Sequence, residues 1–282
     1  MTLKIALPNK GRLEKPATEL FKQAGFRFER TERSLAVPVR DAPIELLYVR
    51  AKDVVELVAD GAADLGVTGV DLTREAGAAV DTALELGFGR CSLVAAAPEG
   101  SDIATVEDFE GLRIATSHPR IVDTFFEDKG IDVTTVPLAG SVEVAPRLDV
   151  ADAVVDLVSS GSTMLINGLT PVAELLSSQA IVIERTGESR SETAETVITM
   201  LDAAMTARRK RYLVMNCTVD AIDSIAPLIP GISAPTVVPL TASDMVAVHS
   251  VVDASDVWHI LPRLKAAGAT GILVLPVQQV LA

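Results

Sequence analysis

Short apolar runs alternate with amphipathic ones through the middle of this 282-residue chain, and that alternation narrows the possible folds more than any other feature. Residues 91–97 and 112–116 read as buried strands. Residues 120–129 read as a helix closed by Gly130, 133–137 as a strand, 142–148 as a helix and 152–158 as a strand. Strands and helices taken in turn imply a parallel sheet with helical crossovers, an α/β architecture. The start of the chain has the same texture. A strand at 3–7 leads through the loop Pro8-Asn9-Lys10-Gly11 into a helix at 13–24 that stops at Gly25. A hairpin of 34–39 with 44–49 turns at Asp41-Ala42-Pro43, a helix at 53–60 ends at Gly61, and a short strand occupies 64–69. Aromatic residues make up only 4%, so the core must be built from Val, Leu, Ile and Ala.

A strand at 180–184 and a long helix at 191–207 follow. The run Arg208-Arg209-Lys210-Arg211 sits where cations suit a helix C-terminus, and reads as a cap and hinge rather than a polyanion site. Beyond it the texture changes. Strand 212–218, helix 221–228, a turn at Pro230-Gly231, strands 236–240 and 245–252, a helix 255–267 closed by Gly268 and a strand 271–277 give the order β-α-β-β-α-β. That is the ferredoxin-like module, and it is expected to form a separate domain.

Charge and composition exclude several classes. A net charge of -13 argues against broad nucleic-acid binding. No apolar run approaches the roughly 18 residues of a membrane helix, and residues 1–10 lack a signal-peptide core. Cys91 and Cys217 have no paired spacing and read as ordinary buried thiols, so a cytoplasmic, reduced protein is expected.

The chemistry concentrates after strand 152–158, in Ser159-Ser160-Gly161-Ser162-Thr163, with a helix able to start at Met164. Free N–H groups at a helix start, a glycine for close approach, and several hydroxyls would cradle a terminal phosphate without a lysine. Asp152 and Asp156 have even spacing, so on a strand both point the same way. Carboxylates there would accept from vicinal sugar hydroxyls or from the water shell of magnesium on a pyrophosphate. Phosphoribosyl pyrophosphate matches that set. Ser, Gly and Thr also make common loops, and a strand-edge Asp is often merely solvated.

Three blocks then resemble the ATP phosphoribosyltransferase family, the first enzyme of histidine biosynthesis. They are Leu7-Pro8-Asn9-Lys10-Gly11-Arg12-Leu13; Val49-Arg50-Ala51-Lys52-Asp53 with Gly61 through Asp71; and Glu143 through Met164. Asp149 departs from the pattern, which usually has Gly there. Length and the C-terminal module resemble the family's long form. The resemblance implies two lobes of the type II periplasmic-binding-protein kind, one from 1–88 plus 180–211 and one from 89–179, with a regulatory domain at 212–282. It implies transfer of the phosphoribosyl group to N1 of ATP, with Mg2+ on the pyrophosphate and Asp152 and Asp156 as candidate groups near the metal.

On the same resemblance, Arg50, Lys10 and Arg12 are the candidate catalytic cations. Lys10, Gly11, Arg12 and Asp71 are assigned to the nucleotide. Glu143, Asp152, Asp156, Ser159, Ser160, Gly161, Ser162 and Thr163 are assigned to phosphoribosyl pyrophosphate. Plainer readings are a surface ion pair of Arg50 with Asp53 and solvated charge for Lys10 and Arg12. N1 of adenine carries no proton, so no strong base is required, and His118, His249 and His259 show no triad spacing; His118 follows a strand, which allows a place near the cleft, but reads first as solvated or capping. The last domain resembles a histidine-binding regulatory domain, with Asn216, Asp220, Ser233 and Thr236 as candidate contacts, each also at home in turns and caps. Homodimers and hexamers inhibited by histidine are implied. Two rivals are a two-lobed solute-binding protein without catalysis and a catalytically weak regulatory subunit.

Overall fold

The computed structural model describes residues 2–31, 34–159, 162–241 and 244–281, and at 162 and 163 the backbone only. Its elements run β1 (Leu3–Pro8), α1 (Glu14–Gln23), β2 (Ala36–Pro38), β3 (Ile44–Val49), α2 (Asp53–Ala59), β4 (Leu65–Gly69), α3 (Val70–Ala76) and β5 (Val80–Glu85). Next come β6 (Cys91–Pro98), β7 (Arg113–Thr116), α4 (Pro119–Glu127), β8 (Thr134–Pro137), β9 (Ala153–Val158), α5 (Ser162–Ile166), β10 (Leu169–Ser178), β11 (Ala180–Arg185) and α6 (Glu192–Arg208). The chain closes with β12 (Lys210–Thr218), α7 (Ile222–Ile225), β13 (Thr236–Pro239), β14 (Met245–Asp253), α8 (Val257–Ala266) and β15 (Thr270–Pro276).

One compact unit comprises residues 1–19 and 27–194 and holds two sheets. The first has six strands in the order β2-β3-β1-β4-β11-β5, with β3, β1 and β4 parallel. The second has five in the order β10-β6-β9-β7-β8, with β9, β7 and β8 parallel. Each sheet contains one strand antiparallel to both neighbours. β11 lies between β4 and β5, and β6 lies between β10 and β9. The chain therefore passes between the sheets twice, at 85–91 and 178–180. The two passages are tied by Leu86 N–H to Ala180 O (2.9 Å) and Ala180 N–H to Phe88 O (2.9 Å). This is the two-lobed periplasmic-binding-protein arrangement.

The central strands are apolar because both faces are covered. β4 is buried at every residue, and α2 lies on it so closely that a Cβ at Gly66 would sit 2.4 Å from Val54 Cγ1. Val54, Val55, Val58, Ile181 and Ile183 fill that side. Leu93, Phe109, Ile114, Val122, Phe126 and Val155 form the corresponding core of the second sheet.

The second unit comprises residues 20–26 and 195–282. Its four strands run β13-β14-β12-β15, all antiparallel, which is the ferredoxin-like order. Leu213, Met215, Cys217, Val246 and Val248 pack one face against Ile225 and Leu264. Most of α6 belongs to this unit, so the division falls earlier in the chain than 211/212. The reason is local: Gln23 Nε2 donates to Ala204 O, Arg208 Nε to Gln23 Oε1, and Val280 N–H to Ala203 O. The basic run divides between elements. Arg208 ends α6, while Lys210 starts β12 and pairs with Asp253 at 2.9 Å. Arg211 Nη1 donates to the Arg208 and Lys210 carbonyls, so one of the four does cap the helix end.

Three expected helices are different. Residues 142–148 form two 3-10 turns, Val142–Val144 and Pro146–Leu148, because Pro146 cannot donate an N–H within a continuous α-helix. Residues 221–228 break into 3-10 and α pieces around Pro227. The helix after Gly161 has only five residues and starts at Ser162. Asp149, where the family pattern has Gly, takes φ 55, ψ 22, the left-handed region that Asp tolerates better than most side chains. Asp149→Val is expected to destabilise the protein by about 1–2 kcal/mol, because a β-branched residue is strained there. A denaturant midpoint equal to that of the parent would refute this.

Candidate active site

The carboxyl ends of parallel strands collect the loops on which α/β proteins bind ligands. In the first sheet these ends carry residues 9–12 after β1, 50–52 after β3 and Val70-Asp71 after β4. Asn9 N–H donates to Val49 O at 2.7 Å, which ties the first two loops together. In the second sheet the equivalent ends carry Ser117-His118 after β7, residues 138–143 after β8 and the segment from Ser159 after β9.

The two edges meet at Asp71, which is 1% exposed. Its Oδ1 accepts from Arg12 Nη2 at 3.0 Å and from Ser178 Oγ at 2.5 Å. Ser178 Oγ in turn accepts from the Asp71 N–H at 3.1 Å. His118, also buried, places Nε2 3.6 Å from Asp71 Oδ2, an ion-pair distance rather than a hydrogen bond. Its Nδ1 lies 3.0 Å from Ser117 Oγ, and its backbone N–H donates to Thr116 Oγ1. The fold of this corner needs Gly69, since a Cβ there would stand 2.2 Å from Asp71 Oδ1. Nearby, Glu75 of α3 accepts from the N–H groups of Arg120 and Ile121 at the start of α4, both at 3.1 Å.

Burial opposes ionisation of Asp71, but His118, Ser178 and Arg12 outweigh it and hold the carboxyl at about 2. A depressed native value stabilises the fold above the unfolded value near 3.8, and the contribution is lost as pH falls through about 2. It amounts to about 2 kcal/mol. The difference in unfolding free energy between wild type and Asp71→Asn is therefore expected to shrink by about that amount from pH 5 to pH 2. A pH-independent difference would show that Asp71 is not held ionised by these partners.

The carboxylates of the second sheet are arranged differently from the expectation. Asp156, on β9, accepts from the Leu157 N–H at 2.8 Å. Its carboxyl is pushed up mainly by burial and further by Glu143, against the Leu157 N–H and His118. Glu143 is half-buried on the turn Val142–Val144, which Val142 and Ala145 anchor against Val154 and Met164. Asp156, Glu143 and His118 thus share one neighbourhood. Asp152 does not join them. It precedes β9 at the opposite end, four residues or roughly 13 Å away. There it accepts from the Arg113 N–H (2.9 Å), Nε (3.1 Å) and Nη2 (2.8 Å). Even spacing implied a shared face, but Asp152 lies outside the strand and is engaged by Arg113.

Lys10 and Arg50 are exposed at the ends of β1 and β3. Among the described residues Arg50 makes no ion pair, so the pairing with Asp53 is not seen; only the Asp53 N–H donates to Arg50 O (2.9 Å). Gly11, at φ 83, turns the chain between Lys10 and Arg12. Asp71 is too enclosed to meet a nucleotide as expected, and His118 is not solvated: it stands at the N-cap position of α4 with no side-chain cap bond. Ser159 is exposed at the end of β9; Ser160, Gly161 and the side chains of Ser162 and Thr163 lie outside the described residues. Among the described residues no three His, Cys, Asp or Glu side chains converge as a metal site. A cavity of about 670 Å3 lies between α3, β5, α4 and β10, lined by Arg74, Arg120, Phe125 and Leu176 among others, and none of the expected site residues lines it.

In the second unit, Asn216 on β12 and Thr236 on β13 face the same side of the sheet with β14 between them, offset by two residues and so about 12 Å apart. Tyr212 Oη and His249 Nδ1 stand 2.9 Å apart on that face. Asp220 and Ser233 are exposed outside the strands.

Ser178 is the member that sequence reasoning missed, and His118 is one it placed near the cleft but read first as solvated or capping. His118 had a signal, since it follows a strand and precedes a helix-starting proline. Ser178 had none, because it ends a strand that the pattern does not reveal.

Comparison with known proteins is consistent along the whole chain. Residues 50–203 match the family model for ATP phosphoribosyltransferase, and 207–279 match the model described as "HisG, C-terminal domain". A relative from Haloarcula marismortui named ATP phosphoribosyltransferase is 42% identical, over 98% of this chain and 99% of its own length. One of the same name from Methanosarcina barkeri is 40% identical over 99% of each. Among solved structures, a chain of the "ATP phosphoribosyl transferase (HisG:HisZ) complex from Thermotoga maritima" is 30% identical with a TM-score of 0.64, covering 72% of this chain and 97% of that one.

Proposed function

The chain belongs to the ATP phosphoribosyltransferase family, and from that membership we propose a division of labour among its residues for moving the phosphoribosyl group of phosphoribosyl pyrophosphate to N1 of ATP. The observation that carries it is the meeting of two loop edges at Asp71 and His118, with cations on one and carboxylates on the other. Catalysis belongs to the two-sheet unit and regulation to the unit built on β12–β15. The solute-binding alternative is not favoured, because full-length relatives carry the enzyme's name.

In the reaction the adenine N1 lone pair forms a bond to the anomeric carbon while the bond from that carbon to the pyrophosphate oxygen breaks. Positive charge develops on the ribose and negative charge on the departing group, so positioning and fixed charge do most of the work. Glu143 and Asp156 accept the ribose hydroxyls. Their mutual repulsion and burial leave them in need of donors, which a bound sugar provides. Ser159 to Thr163 hold the 5-phosphate. Arg50, Lys10 and Arg12 face the departing pyrophosphate, and Lys10 and Gly11 border the nucleotide. N1 needs no base, so no residue removes a proton from it.

Two adjacent carboxylates fit a magnesium ion carried largely by substrate phosphates, better than they fit a cage made by the protein alone. Such an ion would neutralise charge on the pyrophosphate, with Asp156 and Glu143 at its water shell.

Free histidine as inhibitor, bound through Asn216, Asp220, Ser233 or Thr236, and assembly into dimers and hexamers in the cytoplasm complete the reading. The test is incubation with ATP, phosphoribosyl pyrophosphate and magnesium, following the absorbance of phosphoribosyl-ATP. No product with intact, folded protein would overturn it, and activity indifferent to histidine would remove the regulatory part.

A further inference from the structure

We infer that Asp71 is a positioning residue: buried at the meeting of the two sheets, it fixes the Arg12 guanidinium for the reaction and does not itself touch substrate. The inference rests on the reading above in one respect, the placing of Arg12 among the site cations.

Asp71 is 1% exposed, while the Arg12 side chain it holds is 34% exposed. One end of the contact is thus enclosed and the other is open to a ligand. A long arginine at a loop has many rotamers, and an ionised, immobile acceptor removes most of them before substrate arrives. Asp71 is itself immobilised from two directions. Ser178 both donates to its Oδ1 and accepts from its N–H, and the carboxylate folds back into the space that a Cβ at Gly69 would fill. His118 faces the other oxygen, and among the described residues its Nε2 has no hydrogen-bond partner. The sequence of control runs from Ser178 and Gly69 to Asp71, and from Asp71 to Arg12.

The test is a double-mutant cycle on kcat/KM for the two substrates, with Asp71→Asn, Arg12→Gln and the combination, alongside thermal midpoints. Each single change is expected to lower kcat/KM about 10- to 100-fold. The combination is expected to be no worse than Arg12→Gln alone within about threefold, because Asp71 acts only through Arg12. Asp71→Asn is expected to lower the midpoint in both backgrounds, because Ser178 and His118 also hold the carboxylate. A merely structural Asp71 would instead leave the two kinetic losses to multiply, and that result would overturn the inference. Should Asp71→Asn fail to fold, Ser178→Ala replaces it in the cycle, with a several-fold loss expected in wild type and none in Arg12→Gln. Multiplied losses there would overturn the inference equally. Full activity of Arg12→Gln would instead remove Arg12 from the site, and the inference with it, while leaving the overall reaction standing.

Discussion

Combining Glu143→Gln with Asp156→Asn is expected to lower kcat/KM for phosphoribosyl pyrophosphate about 10²- to 10⁴-fold. A hydrogen bond to a charged acceptor contributes roughly 1.5–3 kcal/mol, or about 10- to 150-fold, and two such acceptors are removed. The same change should leave the thermal midpoint unchanged or raise it. In the free protein Asp156 is pushed toward its neutral form by burial and by Glu143, so its ionised state weakens the fold at neutral pH. The sign follows: a raised native value means that protonation stabilises, and an amide that is always neutral removes the repulsion. Groups kept at a cost to stability are characteristic of sites. A midpoint that falls together with activity would mark the pair as structural and withdraw it from the ribose.

The second large effect concerns Arg50. Arg50→Gln is expected to reduce kcat about 10²- to 10³-fold, the typical cost of losing one fixed donor to transition-state charge. The Michaelis constant for phosphoribosyl pyrophosphate should change less, because the charge on the pyrophosphate grows as the bond breaks. Arg50 is exposed and makes no ion pair among the described residues, so stability should stay within about 0.5 kcal/mol. Arg50→Lys should restore part of the rate as a point charge without the planar fork. Turnover equal to wild type in Arg50→Gln would exclude the residue from the reaction.

Much of this architecture was legible in the sequence because parallel strands covered on both faces are continuous apolar runs. The parallel β1, β7 and β9 announce themselves in that way, and so do β6 and β11, which are antiparallel but equally apolar in sequence. β10 does not. It contains Pro171, and its pairing slips between Pro171 and Ala173 and again between Glu174 and Leu176, which erases the two-residue period. Spacing also misplaces a side chain when it assumes how far a strand extends. Asp152 and Asp156 share a face on paper, but β9 begins at Ala153 and Arg113 engages the carboxylate outside it. Asp71 illustrates a different limit. Its block of sequence identifies the residue, but not that Ser178, 107 positions away, encloses it. Contacts between separate chain passages depend on the tertiary fold, and no local pattern encodes them.

The return of β11 to the first sheet also bears on how the polypeptide matures. Among the described residues β5 has β11 as its only sheet neighbour, and β4 needs β11 on its open side. About a hundred residues separate β5 from β11, which at 5–20 residues per second is roughly 5–20 s of ribosomal synthesis. During that interval β4 has an open apolar edge and β5 has no partner for its ladder. The nascent first half is therefore the stretch most exposed to chaperone capture and to aggregation, and neither half should mature as an independently expressed fragment.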